Sequence, residues 1–346
     1  MEQAIGFARN RQLDLFILGG GSNLVISDRG FNGLVLRIAI NGIEQRQAGA
    51  VISAVGHAQT AAPGLEPSEL SDVDRTENAS GLVTLDVGAG VAWEDFVAIC
   101  VSKNYGGVEC LSGIPGSVGG TPVQNVGAYG QEVSESIVSV LAYDLHEHGV
   151  RVLQKKDCGF SYRTSVFNST QHRRYVILRV TYALQPGAPA ALRYADLQKL
   201  FASTRQPTLP EVRDTVLKIR ASKGMVINPH DPDSRSVGSF FKNPLVSAEQ
   251  FAQLEQKASA RGLKVPSYPA LSRHSKISAA WLVENSGFHK GYFEGAVGIS
   301  TKHALAIVNR GGARAEEIIA LRDEIQTKVE QAWGVRLDPE PVFVGF

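Results

Sequence analysis

The residues best suited to chemistry gather in a few glycine-rich or sparsely charged places. Gly19-Gly20-Gly21-Ser22-Asn23 follows an apolar run at 15–18. Such a turn lets backbone N–H groups approach a diphosphate, because no Cβ stands in the way. Residues 110–131 hold no charged side chain and carry six glycines and two prolines. An uncharged loop of that length must satisfy its backbone polar groups, and a large planar ligand with its phosphates does so. A plain glycine linker is the alternative, but linkers are richer in Ser, Lys and Glu and lack the Ile, Val and Tyr interleaved here. Ligand binding is therefore the favoured reading of this segment.

Three side chains stand out beside these loops. Arg163, among the small and aromatic residues of Phe160-Ser161-Tyr162-Arg163-Thr164-Ser165, has the fork to clamp a carboxylate, although most arginines so placed are surface residues. Ser239 lies in Gly238-Ser239-Phe240-Phe241-Lys242-Asn243-Pro244, which reads as a hydroxyl aimed into an apolar pocket or as an ordinary strand serine. No G-x-S-x-G pattern is present and no His lies at a telling spacing, which sets serine hydrolysis aside and keeps Ser239 as a proton donor. Glu340 is held between Pro339 and Pro341, either as a rigidly placed carboxylate or as a turn residue. His146 and His148 lack a third ligand and read as a solvated strand end rather than a metal site.

These groups need elements to position them. The apolar pattern predicts strands at 15–18, 24–26 and 34–40. A helix over 91–104 places Trp93, Phe96, Val97, Cys100 and Val101 on one face and stops at Asn104-Tyr105-Gly106-Gly107. Strands near 133–143 and 175–182 and a polar helix at 211–223 come next, then an irregular stretch at 228–235 and a strand-like 237–242. Ser247 starts a helix in which Gln250 completes a capping box and Phe251, Leu254 and Ala258 face inward. A helix at 278–285 with Trp281 in the core, strands at 296–299 and 305–308, a long helix marked by Ile318, Leu321, Ile325 and Val329, and a strand at 342–344 complete the series. Strands and helices interleave without a repeat, the pattern of a mixed α/β or α+β protein in several lobes. Residues 56–81 read as an exposed acidic loop inserted between strands. The first glycine turn leads to a strand rather than a helix, and no acidic residue ends a second strand, which argues against a G-x-G-x-x-G dinucleotide site.

Composition narrows the function classes. The 346 residues suffice for two or three domains. Balance between 35 Lys+Arg and 34 Asp+Glu leaves a net charge of +1, too little for a nucleic-acid coat or a membrane-surface binder. No run of 18 apolar residues spans a bilayer, and the start of the chain shows neither a basic nor an apolar signal region. Three scattered cysteines, Cys100, Cys110 and Cys158, fit a reducing cytoplasm.

Seven stretches together carry a resemblance: LGGGSNLVISDRGFNGLVLRI (18–38), VGAGVAWEDFV (87–97), LSGIPGSVGGTPVQNVGAYGQEV (111–133), CGFSYRTSVF (158–167), VGSFFKNP (237–244), SAAWLVENSGFHKGY (278–292) and LDPEPVFVG (337–345). Their types and order resemble the UDP-N-acetylenolpyruvoylglucosamine reductase family, in its longer, actinobacterial-like form. The resemblance implies a three-lobed α+β fold with a PCMH-type, vanillyl-alcohol-oxidase-like FAD site. Its parts would be a first FAD-binding lobe at 1–81, a second at 82–224, a substrate-binding domain at 225–335 and a returning terminal strand at 336–346. It also implies that Gly19, Gly20, Gly21, Ser22 and Asn23, with Ile114, Pro115, Gly116, Ser117, Gly119, Gly120, Asn125 and Gly127, hold FAD. Arg163, Ser239 and Glu340 match the catalytic positions, and Tyr129, Tyr194, Lys223 and Asn243 match substrate-contacting ones.

The activity so implied is the NADPH-dependent reduction of UDP-N-acetylglucosamine enolpyruvate to UDP-N-acetylmuramate in peptidoglycan synthesis, by a cytoplasmic monomer with no membrane or nucleic-acid partner. Hydride from FAD N5 reaches the β-carbon, and charge then builds on the α-carbon and its carboxylate, so cationic and hydrogen-bonding groups must face that carboxylate. Arg163 and Glu340 suit this, and Ser239 can deliver the final proton because the developing species is strongly basic. The chain departs from the family pattern in three places: only 14 residues precede Leu15, so an initial strand is expected to be missing; Val342 stands where the family has Arg; and Asn285 stands where many relatives have Gln. A flavin or UDP-sugar binding protein without turnover is the alternative from another class. A different oxidase on the same fold is disfavoured, because Ser239, Arg163 and Glu340 all match at once.

Overall fold

A computed structural model describes residues 1–46, 81–202, 205–269 and 274–346. Of the acidic insertion expected at 56–81, all but Gly81 lies outside the described residues. In chain order the elements begin with α1 (Glu2–Asn10), β1 (Asp14–Leu18), β2 (Leu24–Ile26), β3 (Gly33–Arg37), β4 (Ile43–Gln45), β5 (Val83–Gly88), α2 (Trp93–Ser102) and β6 (Tyr105–Gly106). The middle holds β7 (Gly127–Ala128), β8 (Gln131–Glu132), β9 (Ile137–Asp144), β10 (Gly149–Gln154), β11 (Tyr175–Pro186), α3 (Ala195–Phe201) and α4 (Leu209–Ser222). The last third holds β12 (Leu245–Val246), α5 (Ala248–Ser259), β13 (Ser267–Pro269), β14 (Ser275–Ile277), α6 (Ala279–Glu284), β15 (Phe293–Glu294), β16 (Val297–Ile299), β17 (Ile307–Asn309), α7 (Ala315–Trp333) and β18 (Val342–Val344). The fold is α+β. It divides into two compact units, one of Met1–Arg37, Gly113–Gly116 and Thr215–Phe346, the other of Ile38–Ser112 and Ser117–Asp214.

The second of these units is built on an antiparallel sheet in the order β10-β9-β11-β5-β4, with β6 also on β11. Its central strands are buried almost continuously, as a sheet covered on both faces requires. A bulge in the β9–β11 register falls between Ile177 and Arg179, and the Leu178 carbonyl instead accepts the N–H of Ala89 at 2.9 Å. Trp93, Phe96 and Tyr182 pack with ring centroids 4.8–6.1 Å apart. All five residues expected on the inner face of α2 are buried. The helix stops because Asn104, not a glycine, takes the left-handed conformation at φ 56°, while Tyr105 and Gly106 extend into β6.

In the other unit, β1 and β3 pair in parallel, and β18 pairs in parallel with β2, Val342 opposite Leu24. The core gathers Val25, Phe240, Phe241, Leu254, Leu282, Phe288, Ile325, Val329 and Trp333, with Trp281 packed partly buried against it. The Ser247–Gln250 capping box on α5 forms as the sequence indicates. Leu321, Ile325 and Val329 line the buried face of α7. Residues 237–242 are not a regular strand. Gly238 turns to φ 81° and breaks the extended run, leaving isolated bridges from Ser236 to Val308 and from Phe241 to Pro339. Helix α1, which the sequence pattern did not indicate, forms with Ile5 and Ala8 buried.

Candidate active site

Within the Ile38–Ser112 and Ser117–Asp214 unit, the glycine segment after Ser117 lies flat on the turn that follows β5. The Val118 N–H donates to the Val91 carbonyl and the Gly119 N–H to the Ala89 carbonyl, both at 2.9 Å. A Cβ on Gly119 would stand 2.6 Å from the Ala89 Cβ, so only glycine permits this approach. Thr121 closes the segment: its hydroxyl donates to the Val118 carbonyl at 2.8 Å and lies 3.1 Å from the Tyr182 hydroxyl. The Ser117 hydroxyl is buried with no hydrogen-bond partner among the described residues. A buried, unmatched donor at the head of a glycine cradle is what a ligand oxygen or ring nitrogen would satisfy.

The same unit places Arg163 in a tight turn. Ser161 and Thr164 exchange backbone hydrogen bonds at 2.9 and 3.1 Å, and Arg163 between them sits at φ 55°. A left-handed non-glycine residue stores about 1–3 kcal/mol of strain that surrounding contacts must hold. Those contacts include Arg163 Nη1 donating to the Gly127 carbonyl at 3.0 Å and the Asn168 amide donating to the Arg163 carbonyl at 3.1 Å. Tyr129 and Gly130, at φ 51° and 80°, make the two-residue turn between β7 and β8, with the backbone signs of a type I′ hairpin. The tip brings Tyr129 against Tyr194, ring centroids 5.4 Å apart and edge to face. Asn125 is 1% exposed, and its amide is engaged with Glu132, the Ser161 carbonyl and the Ser134 N–H.

In the unit of Met1–Arg37, Gly113–Gly116 and Thr215–Phe346, backbone bonds join Ser239's neighbour to Glu340. The Glu340 N–H donates to the Phe240 carbonyl at 2.8 Å, the Phe240 N–H donates to the Leu305 carbonyl at 2.8 Å, and Asn23 Nδ2 donates to the Glu340 carbonyl at 3.1 Å. Ser239, half-buried, has no hydrogen bond among the described residues. The first glycine turn is tied down by the Ser22 hydroxyl, which donates to the Pro115 carbonyl at 3.0 Å. Among the described residues the N–H groups of Gly20, Gly21, Ser22 and Gly116 have no backbone acceptor, a row of donors open to an anion. Gly19 directly follows β1 and Ile114 precedes Pro115; of the residues expected to hold FAD, Gly119 and Gly120 spend their N–H groups on the Ala89 and Ser117 carbonyls, and the Asn125 amide is engaged by protein.

Lys223 closes α4, and Asn243 accepts the Ala279 N–H at 2.9 Å, capping α6. Asn285 folds back onto the Trp281 carbonyl at 2.8 Å, and Val342 sits in β18, 46% exposed.

Sequence reasoning missed His303. Burial first, then the charges of Lys223, Lys290 and Arg220, push its imidazole down to about 4, so the ring is neutral near pH 7. Its Nδ1 accepts the Leu305 N–H at 3.0 Å, which leaves the proton on Nε2. No spacing in the sequence marks this cluster, since its members come from the end of α4, the loop before β15 and the loop after β16. Glu132 was also missed, although only Gln131 separates it from the Tyr129–Gly130 turn. Cys100, Cys110 and Cys158 are free, and burial pushes each thiol up to about 12. No cluster of metal-ligating side chains occurs among the described residues.

Comparison with known proteins gives these features a context. Residues 1–145 match the FAD binding domain family, and residues 230–344 match the family described as UDP-N-acetylenolpyruvoylglucosamine reductase, C-terminal domain. Fold and domain matches thus define a flavoprotein of the oxidoreductase class. Similar proteins include the UDP-N-acetylenolpyruvoylglucosamine reductase of Thermobifida fusca, 44% identical over 337 residues, covering 96% of this chain and 86% of that protein. The Streptomyces coelicolor reductase is 43% identical over 339 residues, 96% of this chain and 79% of that protein. The chain belongs to the UDP-N-acetylenolpyruvoylglucosamine reductase family. A crystal structure of UDP-N-acetylenolpyruvylglucosamine reductase from Thermus caldophilus shares the fold, with a TM-score of 0.57 at 21% identity over 99% of this chain and 90% of that one.

Proposed function

We propose that this chain is an NADPH-dependent flavoenzyme that reduces UDP-N-acetylglucosamine enolpyruvate to UDP-N-acetylmuramate in peptidoglycan precursor synthesis. The observation that supports the assignment of roles is the direct backbone bond between Glu340 and Phe240, which joins the stretch that carries Ser239 to the stretch that carries Glu340, whose carbonyl Asn23 also grips. Bound FAD supplies hydride, received from NADPH and passed to the enolpyruvyl double bond.

Gly19, Gly20, Gly21, Ser22, Asn23, Ile114, Pro115 and Gly116 would hold the cofactor, with Gly20, Gly21, Ser22 and Gly116 offering backbone N–H groups; Ser117 would offer its hydroxyl, and Gly119 and Gly120, whose N–H groups bond the Ala89 and Ser117 carbonyls, would let the cofactor approach the backbone closely. Arg163 orients the substrate carboxylate and faces the charge that develops there. Ser239, its hydroxyl without a hydrogen bond among the described residues, delivers the proton to the α-carbon. Glu340 serves, through a bridging water, the same developing charge as Arg163. Lys223, with Lys290 and Arg220 around the neutral His303, provides cations for the diphosphate. Tyr129 and Tyr194 make an aromatic pair at the hairpin tip for the nucleotide part, and Asn243 steadies α6 beside Ser239's segment. The three buried free thiols accord with a reducing cytoplasm, where NADPH and UDP-sugars are available. The protein acts as a monomer.

The decisive experiment uses the FAD-loaded protein without oxygen. NADPH bleaches the flavin, and UDP-N-acetylglucosamine enolpyruvate restores the colour with formation of UDP-N-acetylmuramate. An intact flavin that NADPH reduces but the enolpyruvyl substrate never reoxidises would remove this reading.

A further inference from the structure

Asn125 has a different task from the glycines around it. Both donors and the carbonyl oxygen of its side chain are taken by protein: Nδ2 donates to Glu132 Oε2 at 2.8 Å and to the Ser161 carbonyl at 3.1 Å, and Oδ1 accepts the Ser134 N–H at 3.1 Å. The residue is buried and held at φ 44°, one of three left-handed non-glycine residues, with Tyr129 and Arg163, in the same pair of loops.

The partners of Asn125 belong to two separate pieces of chain. Glu132 lies in β8, paired with Gly127 of β7, and the Gly127 carbonyl is the acceptor for Arg163 Nη1. Ser161 is the first residue of the turn that carries Arg163. One buried amide thus ties the acceptor of the guanidinium to the backbone that bears it. Space around Gly127 is equally tight: a Cβ there would meet Glu132 Cγ at 2.9 Å and Arg163 Nη1 at 3.4 Å.

We propose that Asn125 and Glu132 form a brace that positions Arg163, and that Asn125 is a positioning residue rather than a contact of the flavin. The proposal rests on the reading of Arg163 as the group that meets the substrate carboxylate. Its physical basis is that a long, flexible arginine orients a carboxylate only if both its backbone and its anchor are fixed, and that a left-handed turn relaxes when its holding contacts go.

Asn125→Asp tests it with almost no change in volume. The substitution replaces a donor by an acceptor facing both the Glu132 carboxylate and the Ser161 carbonyl. FAD affinity, measured by fluorescence quenching, is expected to stay within about 3-fold, and reduction by NADPH to keep its rate, because neither needs Arg163. Reoxidation by the enolpyruvyl substrate is expected to slow on the order of 10²-fold. The defect should shrink as pH falls, since protonating either carboxylate restores a donor between them. In the flavin-free protein the Thr164 amide proton, bonded to the Ser161 carbonyl, should exchange faster. Adding Glu132→Gln supplies an amide donor to Asp at 125 and should recover at least about 10-fold of the reoxidation rate, which also answers whether the single variant merely misfolded.

Loss of FAD in step with the reoxidation rate would make Asn125 a cofactor contact and overturn the proposal, as would an unchanged rate or a double variant with no recovery. Arg163→Lys is the control. If Arg163→Lys slows reoxidation while Asn125→Asp does not, the brace alone is wrong. If Arg163→Lys keeps full rate, the role of Arg163 fails and the brace falls with it.

Discussion

Ser239 and Glu340 were legible as chemistry before any fold was known, because each sits in a short string whose neighbours are prolines, glycine or aromatics. What their strings did not reveal is that Phe240 and Glu340, far apart in the chain, share a backbone bond. The proton-donor role predicts that Ser239→Ala keeps NADPH-driven bleaching but slows reoxidation by the enolpyruvyl substrate about 10²–10⁴-fold, as stopped-flow absorbance would record. Wild-type reoxidation in that variant would end the role. His303 carries a second prediction at this scale. Its folded value of about 4 lies below the ordinary 6.5, so the unfolded chain binds the extra proton over that interval. The stability due to its neutral burial is present above about 6.5 and is lost as pH falls toward about 4. The loss amounts to about 1–3 kcal/mol at most, since the ring is only partly shielded from water. His303→Gln should flatten the fall in thermal midpoint between those two pH values; an unaltered fall would show that other groups cause it.

Among the elements, helices α2, α5 and α7 declare themselves through apolar spacing and, for α5, a capping box, since these are local properties of the chain. The serine segment at 237–242 does not, because its residues look extended while Gly238 turns left-handed and neighbours from β17 and from Pro339 supply the bridges. The Ser117–Gly120 segment makes the sharpest prediction here. Gly119→Ala would press a methyl onto Ala89 at 2.6 Å. The expected cost is about 1–3 kcal/mol, seen as a lower thermal midpoint together with weaker FAD retention on gel filtration. An alanine variant that stays yellow and equally stable would mean that Gly119 does not pack against Ala89. Loss of the α6 cap by Ser278→Ala, whose hydroxyl accepts the Trp281 N–H at 3.3 Å, should cost about 1 kcal/mol without touching flavin binding.

At the level of the whole molecule, flavin binding should report on folding itself. Free FAD at 100 times its dissociation constant stabilises the native state by about 2.7 kcal/mol, so the thermal midpoint of flavin-free protein should climb with added FAD. A midpoint indifferent to FAD would contradict a native cofactor cradle. The chain's own residue types were enough to specify a mixed protein of strands and helices, the two glycine-rich segments, the amphipathic helices and the family, through which the α+β class followed, since each is written in contiguous residues or in their order. Tertiary structure alone decided which donors remain open and which are spent: the Asn125 amide is consumed by Glu132, Ser161 and Ser134, the Ser117 hydroxyl has no partner among the described residues, and His303 feels cations from the end of α4 and from Lys290. The reason is physical. Hydrogen-bond satisfaction and electrostatic fields depend on distances of a few ångströms between residues far apart in the chain, and composition and periodicity carry no record of those distances.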